Sequence, residues 1–438
     1  MINKLKAILK KKFVKNVMLV ATGTMAAQAI TLLFAPIITR LYGPEVYGIM
    51  GVFNTMVLIV VPLAALALPI AMVLPKEDRQ ALSLAKLSIL TAGFVSGFLL
   101  LVLLLFQDAI LQLFNIEELS SFIFLLPLVV IVSAFMQMGE QWLIRKKEFK
   151  STAKAAFWHS LILNGSKAVG GLWMPVASVL VTIASFGNGI KALFLYRYTR
   201  MTDPTIPPKL VDFSGERRRM KDVLKRHRDF PIFRAPQMFI DAVTQGLPIM
   251  MLTVFFGPAA SGFYAISHSV MNLSTTLIGK AVGDVFYQRV AEAAIAKENI
   301  TRLIIRAIMG LAAIGVIPFS LVILFGPTLF GFVFGAEWDV AGHYARWIAI
   351  GFFFKFAYQP VIKSLPVLNA QSIHLYFTVF SLLIRSSAIF LGYYLFQDDI
   401  IAVAFFGVSG AFLYIGFTLI TLYISRKYDA NQVQDQRV

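Results

Sequence analysis

Leu41-Tyr42-Gly43-Pro44-Glu45-Val46-Tyr47-Gly48 returns 214 residues later as Phe255-Phe256-Gly257-Pro258-Ala259-Ala260-Ser261-Gly262. Both segments read aromatic-Gly-Pro-x-x-x-Gly, and both follow a long apolar run. Glycine ends a helix at little cost and proline cannot continue one, so each marks a tight turn between two helices. Working outward, apolar stretches fall at about 17–39, 46–74, 83–106, 121–144, 153–173, 175–196, 232–256, 262–288, 303–325, 340–363, 374–396 and 400–424. The two turns occupy equivalent places in a six-plus-six layout, after the first and seventh stretches, as a duplication would leave them. Six is even, so both halves run the same way through a membrane and are related by an axis along its normal. The expected fold is an all-α membrane protein of about twelve transmembrane helices, in two six-helix lobes around a central cavity.

Composition supports that class. The 438 residues are 58% hydrophobic and 14% charged, with mean hydropathy +0.75. A soluble domain carries roughly 25% charged residues, and a spanning helix needs about 20 apolar ones. The short remaining loops leave no room for a soluble catalytic domain. With no cysteine there is neither a disulfide framework nor a thiolate metal site. The basic stretch Met1 to Lys15 leads into an apolar run too long for a signal-peptide core, which reads as the first span.

The net charge of +17 is a matter of topology. Alternate loops separate into a basic set and an acidic one. The basic set holds 33 of the 40 Lys and Arg, among them Lys76, Arg79, Arg145, Lys146, Lys147, Arg302, Arg306 and Arg426. The opposite loops carry Arg40 and the acids Asp108, Glu117, Glu118, Glu337, Asp339, Asp398 and Asp399. Positive loops stay in the cytoplasm, so both termini are expected there, where anionic lipids of the inner leaflet add attraction. Nucleic acid is not an expected partner. The expected organisation is a basic N-terminus (1–16), an N-terminal lobe (17–196), a basic cytoplasmic linker (197–231), a C-terminal lobe (232–424) and a tail (425–438). Within the linker, a short amphipathic helix near Gly215 to His227 is expected to lie on the inner leaflet. Pro62, Pro69, Pro127, Pro248, Pro318 and Pro360 fall inside spans, as packing kinks or as hinges.

Ionisable groups in a bilayer core are expensive and are functional candidates by default. They are Glu140, Lys167, Lys191, Asp241, Lys280, Asp284, Arg346, Lys355 and Arg385, six cations and three acids. Lys191, Arg346 and Glu140 sit near helix ends, where snorkelling to the interface accounts for them equally well. Lys280 and Asp284, four apart, can neutralise each other. Lys167, Lys280, Lys355 and Arg385 are the candidate cavity cations. Asp241 and Asp284 are candidates for a coupling-ion site or for partners of those cations. Polar stripes at helical spacing place Gln28, Asn54, Asn164, Gln237, Gln245, His268, Asn272 and Thr276 on the expected cavity wall. His159, His268, His343 and His374 lack metal-ligand spacing, and no phosphate loop or hydrolase motif is present. No cofactor is expected, and no enzymatic activity.

Three segments resemble one family. The stretch from Gln28 to Gly48, ending Thr39-Arg40-Leu41-Tyr42-Gly43-Pro44-Glu45, resembles the opening of bacterial polysaccharide-biosynthesis transporters, the Wzx-type oligosaccharide flippases. Gln141-Trp142-Leu143-Ile144-Arg145-Lys146-Lys147-Glu148-Phe149-Lys150 is similar to their segment after span four. Leu329-Phe330-Gly331-Phe332-Val333-Phe334-Gly335, followed by an acid, is similar to theirs before span ten. The resemblance implies membership of the superfamily that also holds multidrug exporters and lipid II flippases, with two lobes facing a cationic cavity. It implies a substrate, an undecaprenyl-pyrophosphate-linked oligosaccharide, moved to the outer leaflet for O-antigen or capsule assembly. It further implies a polysaccharide polymerase and a chain-length regulator as partners. The lipid II branch has two additional C-terminal helices, which this sequence does not show after the twelfth span.

Two alternatives stay open. An ion-coupled multidrug exporter with cationic substrates would want an acidic cavity, against which six cations and three acids speak. A glycan polymerase would want a large outer loop, and the longest here, about Gln107 to Ser120, is short and has no Lys or Arg.

Overall fold

The computed structural model describes residues 23, 25–204, 217–275, 280–368 and 370–434. Among them there is no strand, and the described part of each expected span is mainly helical. The main helices are α1 (Met25–Leu41), α2 (Pro44–Ala65), α3 (Asp78–Phe114), α4 (Leu125–Arg145), α5 (Phe149–Trp173) and α6 (Ala177–Thr202). They continue as α7 (Ala235–Phe256), α8 (Pro258–Ser274), α9 (Lys280–Ile295), α10 (Ile300–Phe334), α11 (Asp339–Ala357), α12 (Gln371–Phe396) and α13 (Asp399–Gln434). Eight described helices are long and apolar enough to cross a membrane, and α1 is a shorter apolar helix. Helices α5, α8, α9 and α11 fall outside that group because their apolar runs are shorter or broken by polar residues. Large side chains such as Phe94, Leu172, Trp173 and Phe332 stand exposed on the helix surfaces, as a lipid-facing belt requires.

The chain divides into two compact units, residues 1–246 and 247–438. In the first, the repeated turn has a structural reason. Pro44 opens α2 after an extended Gly43, the position where proline's missing N–H costs nothing. Tyr42 is fully buried, and its hydroxyl donates to the Lys167 carbonyl at 3.0 Å. Its ring lies where a side chain at Gly171 would go: a Cβ there would come within 2.6 Å of Tyr42 Cε2. In the second unit Pro258 opens α8 in the same way, after Gly257 at φ +89°, where only glycine is unstrained.

Two in-span prolines restart helices instead of bending them. Span two breaks after Ala65 at Leu66 and Ala67, both left-handed, and Pro69 opens the short helix Leu68–Ala71. Pro360 likewise begins Gln359–Ser364 beyond α11. Pro62, Pro248 and Pro318 lie inside helices, joined by Pro327 in α10.

The linker helix, Arg217–Arg226, corrects an expectation. It does not lie free on a lipid surface. Met220 and Val223 are buried, and Val223 joins Leu68, Met72, Leu82, Leu84, Met138 and Trp142 in one core cluster. Its apolar positions at i and i+3 meet an apolar groove formed by α3, α4 and the broken end of span two, which removes them from water more completely than an interface would.

In the second unit α11 is the central helix, in contact with α8, α10 and α13. Its approaches run through glycines: a Cβ on Gly351 would meet the Gly407 carbonyl at 2.7 Å, and one on Gly326 would collide with the Gly342 carbonyl. Small residues that let backbones touch are the usual means of packing helices in lipid.

Candidate functional site

The intramembrane cations separate into those with partners and those without. Lys191 is paired with Glu140 at 3.8 Å, across α6 and α4. Arg346 donates to the Leu324 carbonyl at 2.7 Å, tying α11 to α10. Lys167, Lys355 and Arg385 have no carboxylate within ion-pair distance among the described residues. The side chains of Lys280 and Asp284 lie outside the described residues, as does Thr276.

Lys167 projects from α5 beside α2, where its ammonium finds only the Met50 sulfur, 3.7 Å away. A thioether is a weak acceptor, so the charge is effectively unmatched. One turn earlier, Asn164 is buried between α5 and α1. Its amide nitrogen donates to the Ser160 carbonyl at 2.7 Å and reaches Thr31 Oγ1 at 3.2 Å, while Ser160 Oγ donates to the Ala27 carbonyl at 2.7 Å. This seam joins two helices, so Asn164 holds the wall together and does not present its amide to a cavity.

Lys355 and Arg385 converge. The Lys355 ammonium sits 4.7 Å from the centre of the Phe352 ring on its own helix. The Arg385 guanidinium, from α12, lies 5.0 Å from the ring centres of both Phe406 and Tyr414 on α13. His268 of α8 links the two, stacked on Tyr264 at 5.6 Å and edge-on to Phe352 at 5.3 Å. Tyr264 meets Phe406 edge-on at 5.8 Å. Both cations are close enough to act electrostatically on the His268 imidazole and the Tyr414 hydroxyl. Four helices thus contribute to one box of aromatic rings with two cations. Arg385 Nε is buried there with no hydrogen-bond partner. Buried polar groups are normally satisfied, so a free guanidinium nitrogen suits a site that receives an acceptor from outside the chain.

The remaining candidates lie outside that box. Gln28, Asn54, Gln237, Asp241 and Gln245 are exposed on α1, α2 and α7. Gln237 accepts from Arg234 at 3.1 Å, and Gln245 donates to the Asp241 carbonyl at 3.3 Å. Asn272 is half-buried on α8. No group of three or more His, Asp or Glu with metal-binding geometry occurs among the described residues. The sequence missed Tyr264, Phe352, Phe406 and Tyr414, because aromatic residues on an apolar helix are indistinguishable from core.

These features define a multi-pass, all-helical membrane protein. The chain belongs to the polysaccharide biosynthesis protein family, which matches residues 37–342. It is similar in fold to the lipid II flippase MurJ in an inward closed conformation, with a TM-score of 0.70 at 11% identity over 95% of this chain and 91% of that one. An inward-facing multidrug resistance MATE transporter of the MOP superfamily gives 0.63 at 14% identity, covering 95% of both chains. A MOP-superfamily transporter from Pyrococcus furiosus gives 0.60 at 14% identity, covering 95% and 96%. No curated protein matches the sequence.

Proposed function

We propose that the protein is a flippase for lipid-linked oligosaccharides, and that Lys355 and Arg385 hold the anionic phosphate of its cargo. The observation that carries this reading is the convergence on one aromatic box of two cations that have no carboxylate partner among the described residues. A phosphate or pyrophosphate cannot enter a bilayer core unless its water is replaced by charged donors. A guanidinium fork presents donors in the geometry of phosphate oxygens, and charge-assisted hydrogen bonds are roughly twice as strong as neutral ones. The rings of Phe406 and Tyr414 hold the guanidinium plane by cation–π attraction, the Tyr414 hydroxyl is also within hydrogen-bonding reach of it, and Nε is left without a partner. Lys167 supplies a further cation in the N-terminal unit. Family membership supports the carbohydrate part of the cargo, and the fold supports movement by alternating access.

For the Pyrococcus furiosus transporter, the reverse polarity of its binding pocket suggests a different function. Pocket polarity is the property on which the present reading also turns. A cationic site disfavours cationic drugs and favours an anionic headgroup. In this reading the chain works in a bacterial inner membrane with both termini cytoplasmic, as two six-helix lobes, for O-antigen or capsule assembly beside a polymerase and a chain-length regulator.

The test is complementation of a strain lacking the gene with Lys167→Ala, Lys355→Ala and Arg385→Ala combined. Surface glycan is expected to disappear and the lipid-linked precursor to accumulate, at unchanged membrane abundance of the protein. Full glycan assembly by the triple variant would refute the cationic site.

A further inference from the structure

At one end of the second unit, outside the aromatic box, a cavity of about 700 Å³ lies between the start of α10 and the end of α13. Its walls include Arg302, Ile305 and Arg306 from α10, and Arg426 and Asp429 from α13. All three arginines are exposed, and no described residue pairs with or accepts from their guanidinium groups. Asp429 is already committed. Its two carboxylate oxygens accept from the backbone N–H of Ile300 at 3.0 Å and of Thr301 at 2.9 Å. Asn299 accepts from Arg302 N at 2.7 Å, and Thr301 Oγ1 and Ser425 Oγ lie 2.9 Å apart. The amides opening α10 are therefore spent on protein, and the helix junction is fixed. What the cavity offers a ligand is three free guanidinium groups around a rigid floor.

Apolar surface leads away from it. Arg302, Ile305, Arg306 and Met309 share one face of α10 at i, i+3, i+4 and i+7, and Ile305 and Met309 are exposed. On α13, Leu419, Tyr423 and Arg426 likewise share a face, again with both apolar members exposed. Charge at the helix ends followed by bare apolar surface along the spans is the complement of a phospholipid: phosphate at the arginines, acyl chains along Met309 and Leu419. A soluble anion would use the first part and leave the second unexplained.

We propose that this cavity is a binding site for the headgroup of an anionic phospholipid, held by Arg302, Arg306 and Arg426. The site is separate from the cargo cations and stands whether or not the protein moves glycans. The charge pattern of the sequence puts Arg302, Arg306 and Arg426 in the loops expected to be cytoplasmic, so the proposed site belongs to the cytoplasmic leaflet.

The experiment is native mass spectrometry of the full-length protein, delipidated in detergent and titrated with phosphatidylglycerol, phosphatidylcholine or inorganic phosphate. Phosphatidylglycerol adducts are expected to survive at collision energies that strip phosphatidylcholine. Arg302→Gln, Arg306→Gln and Arg426→Gln are each expected to weaken retention roughly fivefold, the equivalent of one basic residue at a lipid surface. Arg306→Lys, which keeps the charge, should retain most of it. The glutamine variants change exposed side chains, and unaltered melting temperatures will show that they fold. Equal retention of both lipids, or retention unchanged in the triple glutamine variant, overturns the proposal. Displacement of phosphatidylglycerol by millimolar inorganic phosphate would overturn the lipid part and leave a phosphate site.

Discussion

The guanidinium of Arg385 lies over the ring of Tyr414 in space that Gly410, one turn earlier on the same helix, leaves open; a Cβ at Gly410 would collide with Arg385 Nη2. The obstructed group is the tip of a flexible side chain, so a substitution there should move the cation and spare the fold. Gly410→Ala is therefore expected to reduce glycan export several-fold while leaving membrane abundance and melting temperature near wild type. Glycan levels and thermal stability measured on the same variant separate this from structural damage.

The cations also rank by pairing. Lys191 has Glu140 at 3.8 Å, whereas Lys167 has only a sulfur. Both residues are half-buried, and replacing both members of such a pair by neutral side chains of similar size is often close to neutral, so Lys191→Met combined with Glu140→Gln should leave export and stability almost unchanged. Lys167→Met should abolish or strongly reduce export at normal abundance. Equal effects from the two variants in one complementation assay would contradict the division between structural and functional cations.

Much of this was legible in the sequence, for identifiable reasons. Hydropathy located every described span, since lipid leaves a chain few alternatives to the helix. Gly43-Pro44 and Gly257-Pro258 gave away their turns because proline has a fixed place at a helix start. The break at Leu66 and Ala67 was hidden, because left-handed backbone at residues other than glycine carries no compositional mark. The lack of an acid near Lys167 and Arg385 along their own helices could be read directly. The meeting of Lys355 with Arg385 could not, because it depends on how α11, α12 and α13 are rotated about their axes. Asn164 shows the same limit: its spacing identified a polar face but not the helix that face would meet.

The Tyr42–Gly171 contact explains the first turn and yields a stability prediction. Tyr42 is fully buried against α5 and hydrogen-bonded to the Lys167 carbonyl. Tyr42→Ala would leave a ring-sized cavity, costing about 3 kcal/mol or more by analogy with aromatic truncations. Gly171→Val would force the ring out of its place. Both should lower the melting temperature and the membrane abundance together. Tyr42→Phe, which loses only the hydrogen bond, should cost about 1 kcal/mol.

Arg145 and Lys146 stand in the basic loops that set topology, and the structure gives them a second task. Arg145 Nε donates to Asp78 at 2.9 Å and Lys146 Nζ to the same carboxylate at 2.6 Å, while Arg145 also donates to the Met72 and Lys76 carbonyls at 3.0 and 3.2 Å. The pair thus ties the end of α4 to the irregular stretch before α3. At 37 residues α3 is much longer than a bilayer core requires, and its first turn, with Asp78, projects beyond the apolar part. The hydrogen bond from Lys146 is the main influence holding the Asp78 carboxyl below its ordinary value; burial opposes it, and the hydrogen bond and charge of Arg145 add to it. A carboxylate depressed on folding stabilises the native state above its unfolded pKa of about 3.9 and loses that contribution as pH falls through the folded value. Asp78→Asn should therefore melt below wild type at pH 6 to 8, and the two curves should converge as the pH drops under about 4. A difference in melting temperature that stays constant across that range would show that the clamp does not depend on the charge of Asp78.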